Sequence, residues 1–411
     1  MEGHPAMSTI TQTRAERYDE EQEAFAHEVQ RFLSDRQPIG RVRELAEDAT
    51  GRDADLWRRS AKELDILGLM VPEEYGGTGF GFVEVSLVLT AAGRALTSWP
   101  FLSSAVLATH CLLESGDADA MKRWLPGLAA GETVATVALA DEIGSWAFDN
   151  GSVQATQRGD GSWTLSGTKS FVTDGQLADL VLVFATHERR TWLFAVETSD
   201  PGVRRTSLPV LDATRKLSRF AFDEVAAQPV GASEVTTEKH GALLAVAAAA
   251  LACEATGGIK AAVEITTDYA KQRRQFGRTI GSFQSVKHRC AEMYMRSEAS
   301  AAFAESVAFA VGEATREGSM PKPATQVDAA TAALYCSDAF IRSAHDMIQV
   351  LGGIGFTWEH DAHLYLRRAA SCAKLFGGKK HQMAVLTRAI SEGRLLTRDG
   401  GGPTDDRGLK G

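Results

Sequence analysis

Residues 241–253, GALLAVAAAALAC, run for thirteen positions without a charged side chain, and seven of the thirteen are alanine. The run is too short to cross a bilayer, which takes about 20 apolar residues. Alanine favours helix and lets neighbouring helices approach closely. The segment therefore predicts the core of a long helix packed by other helices. The helical pattern extends from Thr236 to about Phe276, and three more helical stretches follow: FQSVKHRCAEMYMRSEASAAFAESVAFAVGEA, ATQVDAATAALYCSDAFIRSAHDMIQVLGG and HDAHLYLRRAASCAKLF. Helices this long pack as an antiparallel four-helix bundle, expected over residues 236–395. The Gly-rich polar end, 396–411, is expected to be disordered.

Upstream the patterning differs. Residues 14–130 carry apolar positions three and four apart, as in EQEAFAHEVQRFLSD and FVEVSLVLTAAGRAL, and predict an N-terminal all-α domain. A glycine-rich turn, VPEEYGGTGFG, interrupts it. From Gly131 to about residue 235 the segments are short, rich in β-branched and aromatic residues, and separated by Gly, Asp and Asn: TVATVALA, SWTLSGTKSFVT, ADLVLVFATH, RTWLFAVET. They predict a middle antiparallel β domain, a small barrel or sandwich. The expected fold class is α+β, in the order helical domain, β domain, helical bundle.

The formal net charge of −9 argues against nucleic acid or an anionic membrane as a main partner. Five scattered cysteines show no metal-ligand spacing, so no metal site is expected and a reducing, cytoplasmic setting is. The opening MEGHPAMSTITQTRAERYDEE is polar and does not read as a secretory signal.

The stretch YAKQRRQFGRTIGSFQSVKHRCAEM, residues 269–293, closes one helix on an arginine cluster, breaks at Gly277 and begins another near Phe283. Arg273 and Arg274 suit a pyrophosphate clamp, because planar guanidiniums match paired phosphate oxygens. They equally suit a solvated helix end whose cations complement the macrodipole. Chemistry alone leaves both open.

Four motifs in order carry a resemblance: this stretch, QVLGGIGFTWEHDAHLYLRRA (349–369), VPEEYGGTGFG and SGTKSFVTDGQLADLVLVFA. Together, over about Glu20 to Glu392, the chain resembles the acyl-CoA dehydrogenase family. The resemblance implies FAD as cofactor, an acyl-CoA substrate and an electron-transfer flavoprotein as acceptor. It implies an oxidoreductase in which a carboxylate removes the α proton while a hydride leaves the β carbon. That α proton is weakly acidic, so the base must lie within reach and the carbonyl must be polarised.

Family members share each FAD between two subunits, and the two duties fare differently in this sequence. The resemblance assigns Arg273 to the neighbour's pyrophosphate, Phe276 to covering that cofactor, Gln284 to a polar contact, and Gln349, Gly352 and Gly353 to the adenosine side. In the chain's own pocket, Thr173 matches a flavin-ring contact. The rest is altered. LADEIGSWAFDN lacks the family's hydroxyl and proline, Phe171 stands where tryptophan is usual, and the substrate-side arginine falls on Ala248. The two family positions for the base fall on Phe376, in KLFGGKK, and on Ala247; the hydroxyl and amide after the first fall on Gly378 and Lys380. Glu254, two turns beyond Ala247, reads either as a relocated base or as a glutamate paired with an arginine or lysine of a neighbouring helix.

The pattern predicts the base-lacking partner in a two-component, heterotetrameric enzyme of the sterol side-chain type, a branch that LDATRKLSRFAFDEV also resembles. A self-sufficient homotetramer using Glu254 is the alternative, and a flavin-dependent monooxygenase on the same fold is a second one. Arg367 and Arg368 read as solvated or paired, Cys372 as a buried structural thiol, and Glu359, His360, Asp361 and His363 as capping and packing residues.

Overall fold

The alanine-rich run falls in the first half of a 36-residue helix that other helices enclose. The computed structural model describes residues 18–51, 53–148, 151–316 and 320–393. The expected disordered tail and the first residues of the 14–130 segment lie outside these. The helical elements that open the chain are α1 (Glu20–Arg36), α2 (Ile39–Glu47), α3 (Ala54–Leu64), α4 (Phe82–Ala95), α5 (Thr109–Ser115) and α6 (Ala118–Ala129), with a π-helical stretch, Phe101–Ala108, running into α5. Asp19, Asp53 and Asp117 cap α1, α3 and α6, each accepting a backbone N–H of the first turn.

The strands are β1 (Ala135–Ala138), β2 (Val153–Gln157), β3 (Trp163–Thr173), β4 (Leu180–His187), β5 (Arg190–Glu197), β6 (Val203–Ser207) and β7 (Leu217–Val230). The pairings β4–β2–β3–β7–β5 return to β4 and close a ring, with β1 beside β4 and β6 beside β7. Most pairings are antiparallel, as expected. β1 and β2, however, run parallel to β4, with Ala135 opposite Leu180 and Gln154 opposite Thr186. Long connections separate these partners in sequence, and only a long connection permits parallel pairing.

The bundle holds α7 (Thr237–Gln272), α8 (Gln284–Arg316), α9 (Pro323–Leu351), α10 (Ala362–Cys372) and α11 (Gly378–Ser391); a short hairpin, β8 (Arg274–Gln275) and β9 (Arg278–Thr279), joins α7 to α8. Thr236 caps α7 through the Lys239 N–H. Two adjacent glycines fix how closely α7 packs. A Cβ on Gly257 would lie 1.9 Å from the Thr90 carbonyl of α4, and one on Gly258 would lie 2.1 Å from the Phe340 ring of α9. α7 is long and apolar enough to cross a membrane by length and hydropathy, but its apolar window is wholly buried in the protein. Gly241 faces Gln326 and Gly258 faces Phe340, so α7 and α9 run in the same direction. Thr256 bonds to the Ser300 carbonyl and Cys253 lies against that of Ala304, so α8 runs the opposite way.

Candidate functional site

These helix directions bring the end of α7, the β8–β9 hairpin, the start of α8 and the end of α9 to one end of the bundle. Arg289 and Arg296 of α8 both pair with Asp346 of α9 and fasten that end. Arg273, Phe276, Gln284, Gln349 and Gly353 are exposed there, with Gly352 half-buried beside them. The hairpin turns on Phe276 and Gly277, both in the left-handed region with φ of +53° and +76°. The turn projects the Phe276 ring outward, 91% exposed, while Arg278 stacks on Phe283 below it. A Cβ on Gly352 or Gly353 would meet nothing within 4 Å. The φ of +65° calls for glycine at Gly352 whatever the space, whereas neither packing nor backbone conformation demands it at the exposed Gly353. The Arg273 guanidinium has no partner among the described residues.

Thr173 ends β3. Its carbonyl accepts a hydrogen bond from Thr136 Oγ1 at 2.7 Å, but its own Oγ1 is buried without a partner. A buried hydroxyl left unsatisfied is unfavourable, and this atom is free to bond a water or a bound group.

Phe376 is 3% exposed and left-handed, with φ 50° and ψ 43°. Its ring meets Trp146 at 5.2 Å between centroids. Trp146 comes from the altered loop LADEIGSWAFDN. Asp141 folds that loop by accepting the N–H groups of Ile143 and Ser145 at 3.0 and 2.7 Å. Farther along it, Phe148 packs on His240, whose other side faces Phe184. Burial, with His381 and Lys169 adding repulsion, pushes the His240 imidazole down to about 4.

Glu254 is buried, and both of its carboxylate oxygens are taken. Oε2 pairs with Arg215, from the loop between β6 and β7, and Oε1 pairs with Arg368 of α10. Arg368 also donates to Asp212 Oδ2 at 2.9 Å, Thr214 Oγ1 at 2.6 Å and the Thr97 carbonyl at 3.3 Å. Burial raises the Glu254 carboxyl pKa, but the two guanidiniums outweigh it and hold the group below the usual range. A proton-abstracting carboxylate needs a free oxygen and an open approach. Glu254 has neither, and its geometry matches the paired glutamate rather than the relocated base. Arg368 is paired and buried, not solvated, whereas Arg367 stacks on Trp358 at 4.6 Å. Burial pushes the Cys372 thiol up to about 12, with Glu254 adding to it, which leaves it unreactive. His360 Nδ1 accepts the Ala362 N–H at the start of α10, and Asp361 pairs with Arg43.

Sequence reasoning missed Arg215, Asp212, Thr214 and Asp174. Asp174 accepts from Ser103 Oγ of the π-helical stretch at 2.7 Å. Burial pushes its carboxyl up to about 6. The available signal was Asp212 and Arg215 of LDATRKL together with Glu254, the one glutamate in the apolar stretch of α7. No His, Cys, Asp or Glu cluster able to hold a metal occurs among the described residues.

A helical region, a β ring and a helical bundle follow one another in this order, the architecture of acyl-CoA dehydrogenases. Models of the N-terminal, middle and C-terminal domains of acyl-CoA dehydrogenase match residues 19–132, 137–225 and 240–391, and the chain belongs to the acyl-CoA dehydrogenase family. It is similar to acyl-CoA dehydrogenase FadE27 of Mycobacterium tuberculosis (strain ATCC 25618 / H37Rv), at 34% identity over 83% of this chain and 89% of that protein. The ChsE4–ChsE5 complex from Mycobacterium tuberculosis superposes with a TM-score of 0.81 at 28% identity, covering 92% of this chain and 98% of the other. A variant of the Tcur3481–Tcur3483 steroid ACAD gives a TM-score of 0.79 at 27% identity, covering 92% and 99%.

Proposed function

We propose that this chain is the base-lacking subunit of a two-component, FAD-linked acyl-CoA dehydrogenase and completes the FAD site of a second, base-bearing chain. The observation that carries the reading is the contrast between Phe376 and Arg273. Where the family's glutamate would stand, a buried phenylalanine packs on Trp146. Where the family's clamp would stand, an arginine is exposed and unpaired.

The residues present fit FAD at the clamp. Arg273 would take the pyrophosphate, Phe276 would cover the cofactor, and the backbone at Gly352 and Gly353 would lie along the adenosine with Gln284 and Gln349 beside it. In the chain's own pocket, only the orphaned Thr173 hydroxyl fits a flavin-ring contact. FAD, when bound, supplies the hydride acceptor for α,β-dehydrogenation of the thioester. This chain's part is to bind and orient it, while the proton is taken by the partner's carboxylate. A bulky steroid-type acyl-CoA as substrate and an electron-transfer flavoprotein as acceptor complete the reading. The five free cysteines suit a cytoplasmic setting. The self-sufficient alternative loses its base, because both oxygens of Glu254 are held by arginines.

The visible spectrum of the chain, purified alone and with the product of its neighbouring gene, tests this. The expected result is a colourless, inactive chain alone and a yellow, active assembly with the partner. Full flavin occupancy and thioester turnover by the single chain would overturn the reading.

A further inference from the structure

The positions that the resemblance assigns to the base and to the substrate-side arginine put the family's acyl chain near the cluster around Glu254. Ala247 and Ala248 are two turns away on the same helix, Asp174 follows the orphaned Thr173, and Cys372 is one turn before Phe376. Five chain segments converge here: α4, the loop after it that carries Thr97, the end of β3, the β6–β7 loop and α10, all around α7. Between them a void of about 20 Å³ remains, lined by Leu89, Ala92, Asp174, Arg215, Glu254 and Arg368. That is room for a single water. Two guanidiniums balance two carboxylates, Glu254 and Asp212, and the third carboxyl, Asp174, is satisfied by Ser103 instead. Leu89, Ala92, Trp99 and Leu102 line one part of the void, but the other part is filled by charged groups that are balanced and paired with one another, where an acyl chain requires a predominantly apolar lining.

We propose that Arg215, Glu254 and Arg368 form an internal plug in the space of the acyl chain, so that acyl recognition in the assembly belongs wholly to the partner subunit. The inference rests on the base-lacking reading above and deepens it. The plug is also a strut. Arg368 reaches the N-terminal domain at Thr97, Glu254 lies in the bundle and Arg215 in the β domain's loop. One buried network therefore holds the three domains in the arrangement that displays the clamp.

Calorimetric titration of the full chain with CoA and with butyryl-, octanoyl- and dodecanoyl-CoA tests the plug. A pocket that buries the chain would tighten binding about fourfold per methylene. The expected result is equal or undetectable affinity at every length, and a fourfold gain per methylene would overturn the plug. The Glu254→Ala/Arg368→Ala variant removes one carboxylate and one guanidinium together and leaves Asp212 facing Arg215. If its circular dichroism and melting curve show a folded chain, binding should become chain-length dependent, at twofold or more per methylene up to octanoyl. A folded variant with no length dependence would equally overturn the proposal. Should the variant fail to fold, the wild-type series still decides. Oxidation of a thioester by the purified chain is read in a separate assay and would strike the base-lacking reading, whereas length-dependent binding without turnover would strike the plug alone.

Discussion

Phe376 and Trp146 meet at 67° between ring planes, edge toward face, at the position that the resemblance assigns to the family's base. Neither ring belongs to a conventional core element. One comes from a left-handed turn between α10 and α11, the other from the loop after β1. Their contact is worth more than its buried area, because edge-to-face pairs add about 0.5–1.5 kcal/mol.

It follows that restoring a carboxylate should not restore catalysis. Phe376→Glu places an acid where an aromatic now packs and strands it without a partner. The loss of apolar packing and the burial of an unpaired polar group should together lower stability by about 3 kcal/mol or more. The expected outcome is a lower urea midpoint and no acyl-CoA oxidation by the single chain. Oxidation activity appearing with unchanged stability would contradict the packing argument.

Arg273 should behave in the opposite way. It is exposed and unpaired, so Arg273→Ala should move the melting point very little, within about 0.5 kcal/mol. In the assembly with the partner chain it should weaken FAD retention. A hydrogen bond to a charged group is worth about 1.5–3 kcal/mol, which is tenfold or more in affinity. The ratio of flavin to protein after gel filtration reads this directly. Retention equal to wild type would remove Arg273 from the clamp.

Both readings of Glu254 predict an effect of Glu254→Gln, but not the same one. A base would lose proton abstraction and keep its stability. A doubly paired buried carboxylate, once neutralised, leaves two guanidiniums facing a weaker acceptor, and breaking such a pair costs about 3–5 kcal/mol. The expected outcome is a large drop in unfolding free energy. Equilibrium urea unfolding checks it, and a stability loss below about 1 kcal/mol would return Glu254 to the list of candidate bases.

The contrast between these residues explains what the sequence disclosed. The order of helical, β and helical domains was legible because each regime writes its own period, and α7 announced itself through its alanines. That Arg273, Phe276 and Gln284 share one end of the bundle was legible too, because they lie within twelve positions around one hairpin. The plug was not. Arg215 and Arg368 lie 39 and 114 positions from Glu254, and no local pattern reports that three charges so far apart will share one buried site. Nor does a pattern of β-branched segments reveal that β1 and β2 run parallel to β4.

Two buried groups, Asp174 and His240, should leave a signature in the pH dependence of stability. Asp174 is raised from an ordinary 3.8 to about 6 by burial, against hydrogen bonding from Ser103 and the charges of Arg215 and Arg368. The folded chain therefore holds this proton more tightly than the unfolded one. The resulting stabilisation is complete below about pH 3.8 and is lost as pH rises through about 6. His240 is lowered from 6.5 to about 4. Its neutral form is the one that fits between Phe148 and Phe184, so its contribution is present above about 6.5 and is lost as pH falls toward 4. Glu254 also loses its contribution on the acid side, mostly below its ordinary 4.5. Between pH 4.8 and 6, Asp174 and His240 act with opposite sign. Each shift of about two units is worth roughly 3 kcal/mol, so they largely cancel in the wild type. Asp174→Asn should unmask a stability that rises with pH across this window, and His240→Gln one that falls. Urea midpoints measured at pH 4.8, 5.4 and 6.0 test both variants, and parallel profiles in the two would show that these groups do not set the balance.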